Sequence, residues 1–327
     1  MKIGVFTVLM SDQPLEQVLD FLAENGVEAI ELGTGNYPGN AHCNPDELLE
    51  NDRARKDLLK AVEKRGLVIS ALSCHGNPIH PNRQIAQQHH DTHRKTVLLA
   101  EKLGLDTVIG FSGCPGDSPT AKRPNWVTCP WPPDYLETLE WQWKRKVIPY
   151  WKQEAKFARE HGVRLAFEMH PGFVVYNPET LLRLRKACGD NIGSNFDPSH
   201  LWWQGMDPVL AIRTLKDCIF HFHAKDCRID PANTSINGVL DTKNYVDPEA
   251  PMANESKRSW IFRTIGYGHD ASVWRDIISE LRLAGYDHVL SIEHEDSLMS
   301  AREGLLKAVN FLKPMLITEK LGAAWWA

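Results

Sequence analysis

The stretch V-R-L-A-F-E at residues 163–168 is a short apolar run that stops on a carboxylate, Glu168. Its length and its aliphatic and aromatic content are those of a buried parallel strand. The same pattern returns in I-G-S-N-F-D (192–197), C-I-F-H-F-H (218–223) and H-V-L-S-I-E (288–293), which stop on Asp197, His223 and Glu293. Helix-like segments separate the four runs. In a parallel β/α barrel every strand C-terminus opens on one face, where active sites form. Side chains as far apart in sequence as Glu168 and Glu293 are therefore expected at one point.

Working outward, the whole chain divides into strand-then-helix units. Predicted strands cover 2–8, 29–32, 67–72, 107–111, 163–168, 192–197, 218–223 and 288–293. Their helices are predicted at 14–24, 52–65, 83–103, 135–161, 178–187, 208–216, 271–284 and 300–312. E-N-G-V, K-R-G-L, K-L-G-L, E-H-G-V and L-A-G-Y each place a glycine between a helix end and the next strand, where a left-handed cap is required. The expected fold is α/β, a single (β/α)8 TIM barrel over residues 1–327. Two insertions exceed ordinary βα loop length, at about 112–134 after strand four and 227–270 after strand seven. Both leave from the catalytic face and suit lids. A short tail, 314–327, ends in two tryptophans that suit docking onto the body or onto a neighbouring subunit.

Bulk properties narrow the function class. A chain of 327 residues with 43% hydrophobic and 24% charged content buries a large core and is ordinary for a soluble enzyme. A formal net charge of -5 carries no footprint for nucleic acid. The seven cysteines are odd in number and lack a C-x-x-C pair, which points to reduced thiols and a cytoplasmic protein. The N-terminus reads as a first strand rather than a signal peptide. No apolar stretch is long enough to span a bilayer, so no membrane partner is expected.

A strand-end carboxylate taken singly is a cap or a surface charge. Several at one mouth repel each other unless a cation neutralises them. Three carboxylates and one imidazole form an oxygen-rich donor set, which favours Mn²⁺ and also suits Mg²⁺, Co²⁺ or Zn²⁺. F-D-P-S-H brings His200 near Asp197, and alternation along H-F-H-A-K-D puts His221, His223 and Lys225 on one side of strand seven. His221 reads as a packed strand histidine. Glu31 ends strand two and His75 follows strand three, so both can face the mouth. His170 and His200 are placed to donate hydrogen bonds to a ligand at the mouth, and Lys225 to polarise a carbonyl. Trp126 and Trp131 in the first insertion, and Trp202 and Trp203 after strand six, are candidate platforms for the apolar face of a ligand ring, although most tryptophans simply pack. Gly266 and Gly268 in G-Y-G-H-D form either a tight turn or a phosphate cradle. The acidity of nearby H-E-D disfavours a phosphate dianion, so an unphosphorylated ligand is expected.

E-M-H-P-G, F-D-P-S-H, H-F-H-A-K-D and S-I-E-H-E-D resemble the metal-binding strand ends of the xylose-isomerase-like TIM barrel superfamily. Within it, the chain is similar to the sugar isomerase/epimerase group that includes ketose 3-epimerases, inosose dehydratases and enzymes acting on 3-oxo-glycosides. The resemblance implies that Glu168, Asp197, His223 and Glu293 bind one divalent metal ion, and that Glu168 and Glu293 form an acid/base pair. It also implies a homo-oligomer, with a partner subunit as the other possibility for the tryptophan-rich insertion. The implied activity is metal-dependent isomerisation or epimerisation through an enediolate, with His75 and Lys225 completing the catalytic set. Elimination from a 3-oxo-glycoside, C-glycosides included, or dehydration of an inosose begins with the same proton removal. An apurinic endonuclease fits poorly, because strand four ends F-S-G-C without a histidine and no basic groove is evident. A non-catalytic sugar-binding protein is opposed by the retention of all four ligand types.

Overall fold

The computed structural model describes residues 1–244, 254–320, 322 and 326. Eight parallel strands close into a barrel: β1 (Lys2–Phe6), β2 (Ala29–Gly33), β3 (Val68–Ser73), β4 (Thr107–Gly110), β5 (Arg164–Glu168), β6 (Ile192–Phe196), β7 (Ile219–Ala224) and β10 (Val289–Ile292). Around the barrel each strand pairs with its neighbour in sequence, and β10 closes the ring between β7 and β1. The helices are α1 (Leu15–Glu24), α2 (Pro45–Glu50), α3 (Asp52–Glu63), α4 (Arg83–Leu103), α5 (Pro133–Gln142), α6 (Ile148–Glu160), α7 (Pro178–Cys188), α8 (Pro198–Trp202), α9 (Pro208–Leu215), α10 (Pro231–Asn237), α11 (Ala271–Leu283) and α12 (Ala301–Leu312). This is the TIM barrel expected from the strand spacing. Among the described residues no helix is long and apolar enough to cross a membrane.

The punctuation behaves as its chemistry requires. Gly26, Gly66, Gly104, Gly162 and Gly285, the five junction glycines, all take positive φ between 70° and 84°. A side chain there would meet its own backbone, so the turn from helix to strand depends on glycine. Apolar helix faces bury Leu19, Leu22, Val97, Ala155, Leu184 and Ile277 against the outside of the barrel. Towards the C-terminal end the barrel interior is polar instead, and it is this polar lining that forms the site.

The short helices α2 and α8 were not expected, strand one ends at Phe6 rather than residue 8, and two longer segments also differ from the sequence reading. The helix expected at 135–161 is α5 followed by a π turn, Trp143–Val147, and then α6. Pro149 explains the break: without an N–H it cannot bond the carbonyl four residues back, and the preceding turn widens. The insertion at 227–270 is not all loop. Asp226–Ile229 (β8) and Trp260–Arg263 (β9) form a two-stranded antiparallel sheet, with Asp226 opposite Arg263. Part of this insertion, 245–253, lies outside the described residues, as does Trp325 of the tail; Trp326 is 75% exposed. The first insertion is tied down by hydrogen bonds. Gln142 Nε2 donates to the carbonyls of Gly116 and Asn125 at 3.0 and 2.7 Å, and Trp151 Nε1 donates to Ser112 O at 2.8 Å.

Candidate metal centre

Each strand end presents one donor to the same point. Glu168 is the last residue of β5. Asp197 follows β6 as the N-cap of α8, where Pro198 occupies the first helical turn. Its Oδ1 accepts the Ser199 N–H at 2.8 Å, which leaves Oδ2 for another partner. His223 comes from β7, and Glu293 follows β10 with its N–H bonded to Ala224 O at 3.1 Å. One donor atom from each of Glu168, Asp197, His223 and Glu293 lies within 4.8 Å of the others. His223 Nδ1 is 3.1 Å from Glu168 Oε2 and 3.0 Å from Glu293 Oε2.

The residues fit a divalent cation on a direct observation. Asp197 Oδ2, His223 Nδ1 and Glu293 Oε2 are all buried and have no hydrogen-bond partner. Buried polar atoms are almost always satisfied; Lys225 flanks Glu293 Oε2 and His200 flanks Asp197 Oδ2, both at 3.3 Å without hydrogen-bond geometry, so the three atoms aimed together suit a cation between them. Glu31, His221 and His223 also lie close together, but their remaining atoms are used. His221 Nδ1 bonds Asn195 Oδ1 at 2.9 Å and its Nε2 bonds Ser70 Oγ at 3.1 Å. His221 is thus the packed strand histidine expected.

Electrostatics follow the crowding. Burial, together with the charges of Glu168 and Glu293, pushes the Asp197 carboxyl up to about 6 despite His200 and Lys225. Burial also opposes ionisation of Glu293, yet the Lys225 ammonium and the His223 ring hold it at about 2. Glu168 is likewise held well below the usual carboxylate range, because bonds from His200, His223 and His75 outweigh its burial. His223 is raised well above an ordinary histidine: burial opposes the charge, but Glu31 and Glu293 overcome it. A proton on His223 Nδ1 takes the place a metal ion would hold, so the two compete.

The remaining expected residues divide into two groups. His75 Nε2 lies 3.1 Å from Glu168 Oε2, and His200 Nε2 lies 3.2 Å from Glu168 Oε1 and 3.3 Å from Asp197 Oδ2. His170 packs on His200 with ring centroids 4.1 Å apart. Lys225, 3% exposed, reaches Glu295 Oε2 at 2.6 Å and Glu293 Oε2 at 3.3 Å over the Phe262 ring. These four surround the donor set. Four others are engaged with protein partners of their own. Glu31 is fully buried inside the barrel and has protein partners at both oxygens. Trp202 is buried with its ring stacked on His269 at 3.8 Å, and Trp203 stacks on Trp260 at 4.4 Å. Trp126 sets its ring edge-to-face on Tyr176 at 5.4 Å, beside Trp143 and Arg183. Tryptophans at these positions pay their way through packing area.

The G-Y-G-H-D segment is a turn already filled by a carboxylate. The N–H groups of Gly266, Gly268 and His269 converge on Asp226 Oδ2 at 3.0, 3.3 and 3.0 Å, and His269 Nδ1 meets Oδ1 at 2.7 Å. A side chain on Gly268 would collide with Cys227 O and with Asp226 itself. Sequence reading missed Asp226, and also Asn195 and Ser291. A signal for the last two was present. Counting back two residues from Asp197 and Glu293 along their strands reaches Asn195 and Ser291, on the same inward face. Asn195 Nδ2 donates to Glu168 Oε2 at 3.1 Å.

The profile of one family, described as xylose isomerase-like TIM barrel, matches residues 19–315. The chain belongs to this family. The uncharacterized protein YfiH of Bacillus subtilis (strain 168) is 40% identical over 316 residues, 96% of this chain and 98% of YfiH. Among solved structures, the probable 3-DHS dehydratase AsbF of Bacillus anthracis is similar with a TM-score of 0.64 at 19% identity, covering 96% of this chain and 99% of AsbF. The IolI protein with a bound zinc atom has a TM-score of 0.61 at 17% identity, covering 97% and 98%. D-psicose 3-epimerase in the presence of D-fructose has a TM-score of 0.58 at 15% identity, covering 97% and 99%. These structures share the fold of this chain.

Proposed function

We propose that this chain is a divalent-metal-dependent sugar isomerase or epimerase that removes a proton beside a carbonyl of an unphosphorylated sugar or keto-sugar. The observation that carries the reading is the convergence of unsatisfied Asp197 Oδ2, His223 Nδ1 and Glu293 Oε2 beside Glu168. Those four residues would hold the ion, with Mn²⁺ suited to the oxygen-rich set and zinc, as bound in IolI, the alternative. When bound, the ion supplies Lewis-acid polarisation of the substrate carbonyl.

The chain's own groups do the rest. One of Glu168 and Glu293 takes the proton from the carbon beside the carbonyl, and the bonding pair moves onto the carbonyl oxygen as an enediolate. The other carboxyl returns a proton to the opposite face, which inverts the carbon. Their lowered pKa values favour the ionised form in which the first carboxylate accepts the proton, and the second must take up a proton from solvent or a neighbouring acid before it can return one. His75 and His200, each in contact with Glu168, are positioned to donate to substrate oxygens. The occupied Gly266–His269 turn supports a substrate without phosphate.

A second reading, elimination by a lyase or dehydratase, is favoured by Lys225. Its ammonium, 3.3 Å from Glu293, is placed to protonate a departing oxygen after the same deprotonation. One experiment tests both readings. Protein incubated with Mn²⁺ in D₂O against ketoses, inososes and 3-oxo-glycosides is followed by NMR. Deuterium entering a carbon next to the carbonyl supports the mechanism, and the product separates inversion from elimination. A protein that catalyses no exchange on any member of the panel would refute it.

A further inference from the structure

We infer that Glu31 is a positioning residue that locks His223 in the tautomer whose Nδ1 faces the cation site. This rests on the metal reading of that site and deepens it. Glu31 projects from β2 into the barrel and is fully buried. Its carboxylate receives hydroxyl bonds from Ser73 on β3 and, at 2.7 Å, from Ser291 on β10. The third donor is His223 Nε2, 2.9 Å from each carboxylate oxygen. An ionised carboxylate only accepts, so the shared hydrogen sits on Nε2. A neutral imidazole protonated at Nε2 carries its lone pair on Nδ1.

That lone pair is the one aimed at the centre. His223 Nδ1 has no hydrogen-bond partner and lies 3.1 Å from Glu168 Oε2 and 3.0 Å from Glu293 Oε2, donor atoms of the same candidate site. Phe6 of β1 stacks on the ring at 5.6 Å and 29°, which restricts its rotation. Ser291 precedes Glu293 by two residues, so a single strand end supplies both a metal donor and a donor to the residue that orients another. With both oxygens engaged by three strands, Glu31 has nothing left for a substrate. Its negative charge instead raises the basicity of the coordinating ring, as an outer carboxylate does for a metal-bound histidine.

Two measurements test this. In wild-type protein stripped and reloaded with Zn²⁺, ¹⁵N NMR of the histidines should show His223 protonated at Nε2 and metal-shifted at Nδ1; the reverse assignment overturns the inference. Calorimetric titration of Mn²⁺ into the metal-stripped E31Q variant should show affinity reduced roughly 10- to 100-fold. S291A disturbs the same buried network but keeps the Glu31–His223 pair, and should bind Mn²⁺ nearly as wild type does. Folded E31Q that binds as tightly as wild type, or S291A that weakens equally, overturns the inference alone. Wild-type protein that binds no divalent ion overturns the metal reading and this inference together. Should E31Q fail to fold, the wild-type tautomer decides the question.

Discussion

Glu168 and Glu293 differ from ordinary strand-end acids in what surrounds them. Glu168 is contacted by three imidazoles and the Asn195 amide, whereas Glu293 faces Lys225 and His223. Glu168→Gln and Glu293→Gln keep the shape but remove the proton acceptor, so each should lower the deuterium exchange rate by about 100-fold or more. If both variants exchange at near wild-type rates, the acid/base assignment is wrong. Titration gives a second test at this scale. Asp197 is raised to about 6 and His223 well above its ordinary value, so protons compete with the metal at both. Mn²⁺ binding near pH 7 should release about one proton, from His223. Below about pH 6 Asp197 is protonated too, so release should rise towards about two protons and affinity should fall. Calorimetry in buffers of different ionisation enthalpy counts those protons, and a count independent of pH would contradict the assignment. These roles were only partly legible. Strand-end position picked out the four side chains that meet, but the partners of Glu31 come from β3, β7 and β10, which no local pattern connects.

At the scale of elements, the β8–β9 pair and the turn beneath it hold the second insertion. Asp226 follows Lys225 directly, and its carboxylate gathers four backbone N–H groups, that of Cys227 included, the His269 ring and, at 3.4 Å, Trp274 Nε1. Asp226→Ala would leave those buried donors unpaired, at about 1–3 kcal/mol for each donor that water cannot reach. Urea unfolding should therefore show a loss of about 3 kcal/mol or more, together with weaker substrate binding as Lys225 loosens. A loss under about 1 kcal/mol would mean that the turn stands without its carboxylate. The strands were hidden because D-C-R-I and W-I-F-R are four residues each, too short for alternation to separate from loop. The π turn was equally hidden: the sequence reading ran one helix through Pro149, and a proline by itself does not say whether a helix will kink, stop or widen.

For the whole molecule, the barrel gathers three carboxylates and a histidine in a buried place, and on the proposed metal reading its stability should depend on a cation. Mn²⁺ at roughly 100 times its dissociation constant should stabilise the folded state by about 2.7 kcal/mol. Differential scanning calorimetry should then show Tm several degrees higher than with a chelator. An unchanged Tm would mean that the site holds no ion of consequence. By itself the amino-acid order determined the parallel barrel, because apolar runs, left-handed glycine caps and helix lengths are local signals repeated around the ring. It also determined which four side chains meet, since a closed parallel barrel brings its strand C-termini to one rim. Only the tertiary structure decided what each neighbour does there. Glu31 turned from the mouth to the back of a histidine, Trp202 turned from a sugar face onto His269, and the glycine turn closed on Asp226. Each outcome depends on side chains from strands remote in sequence packing within hydrogen-bond reach, and that proximity exists only once the barrel has closed.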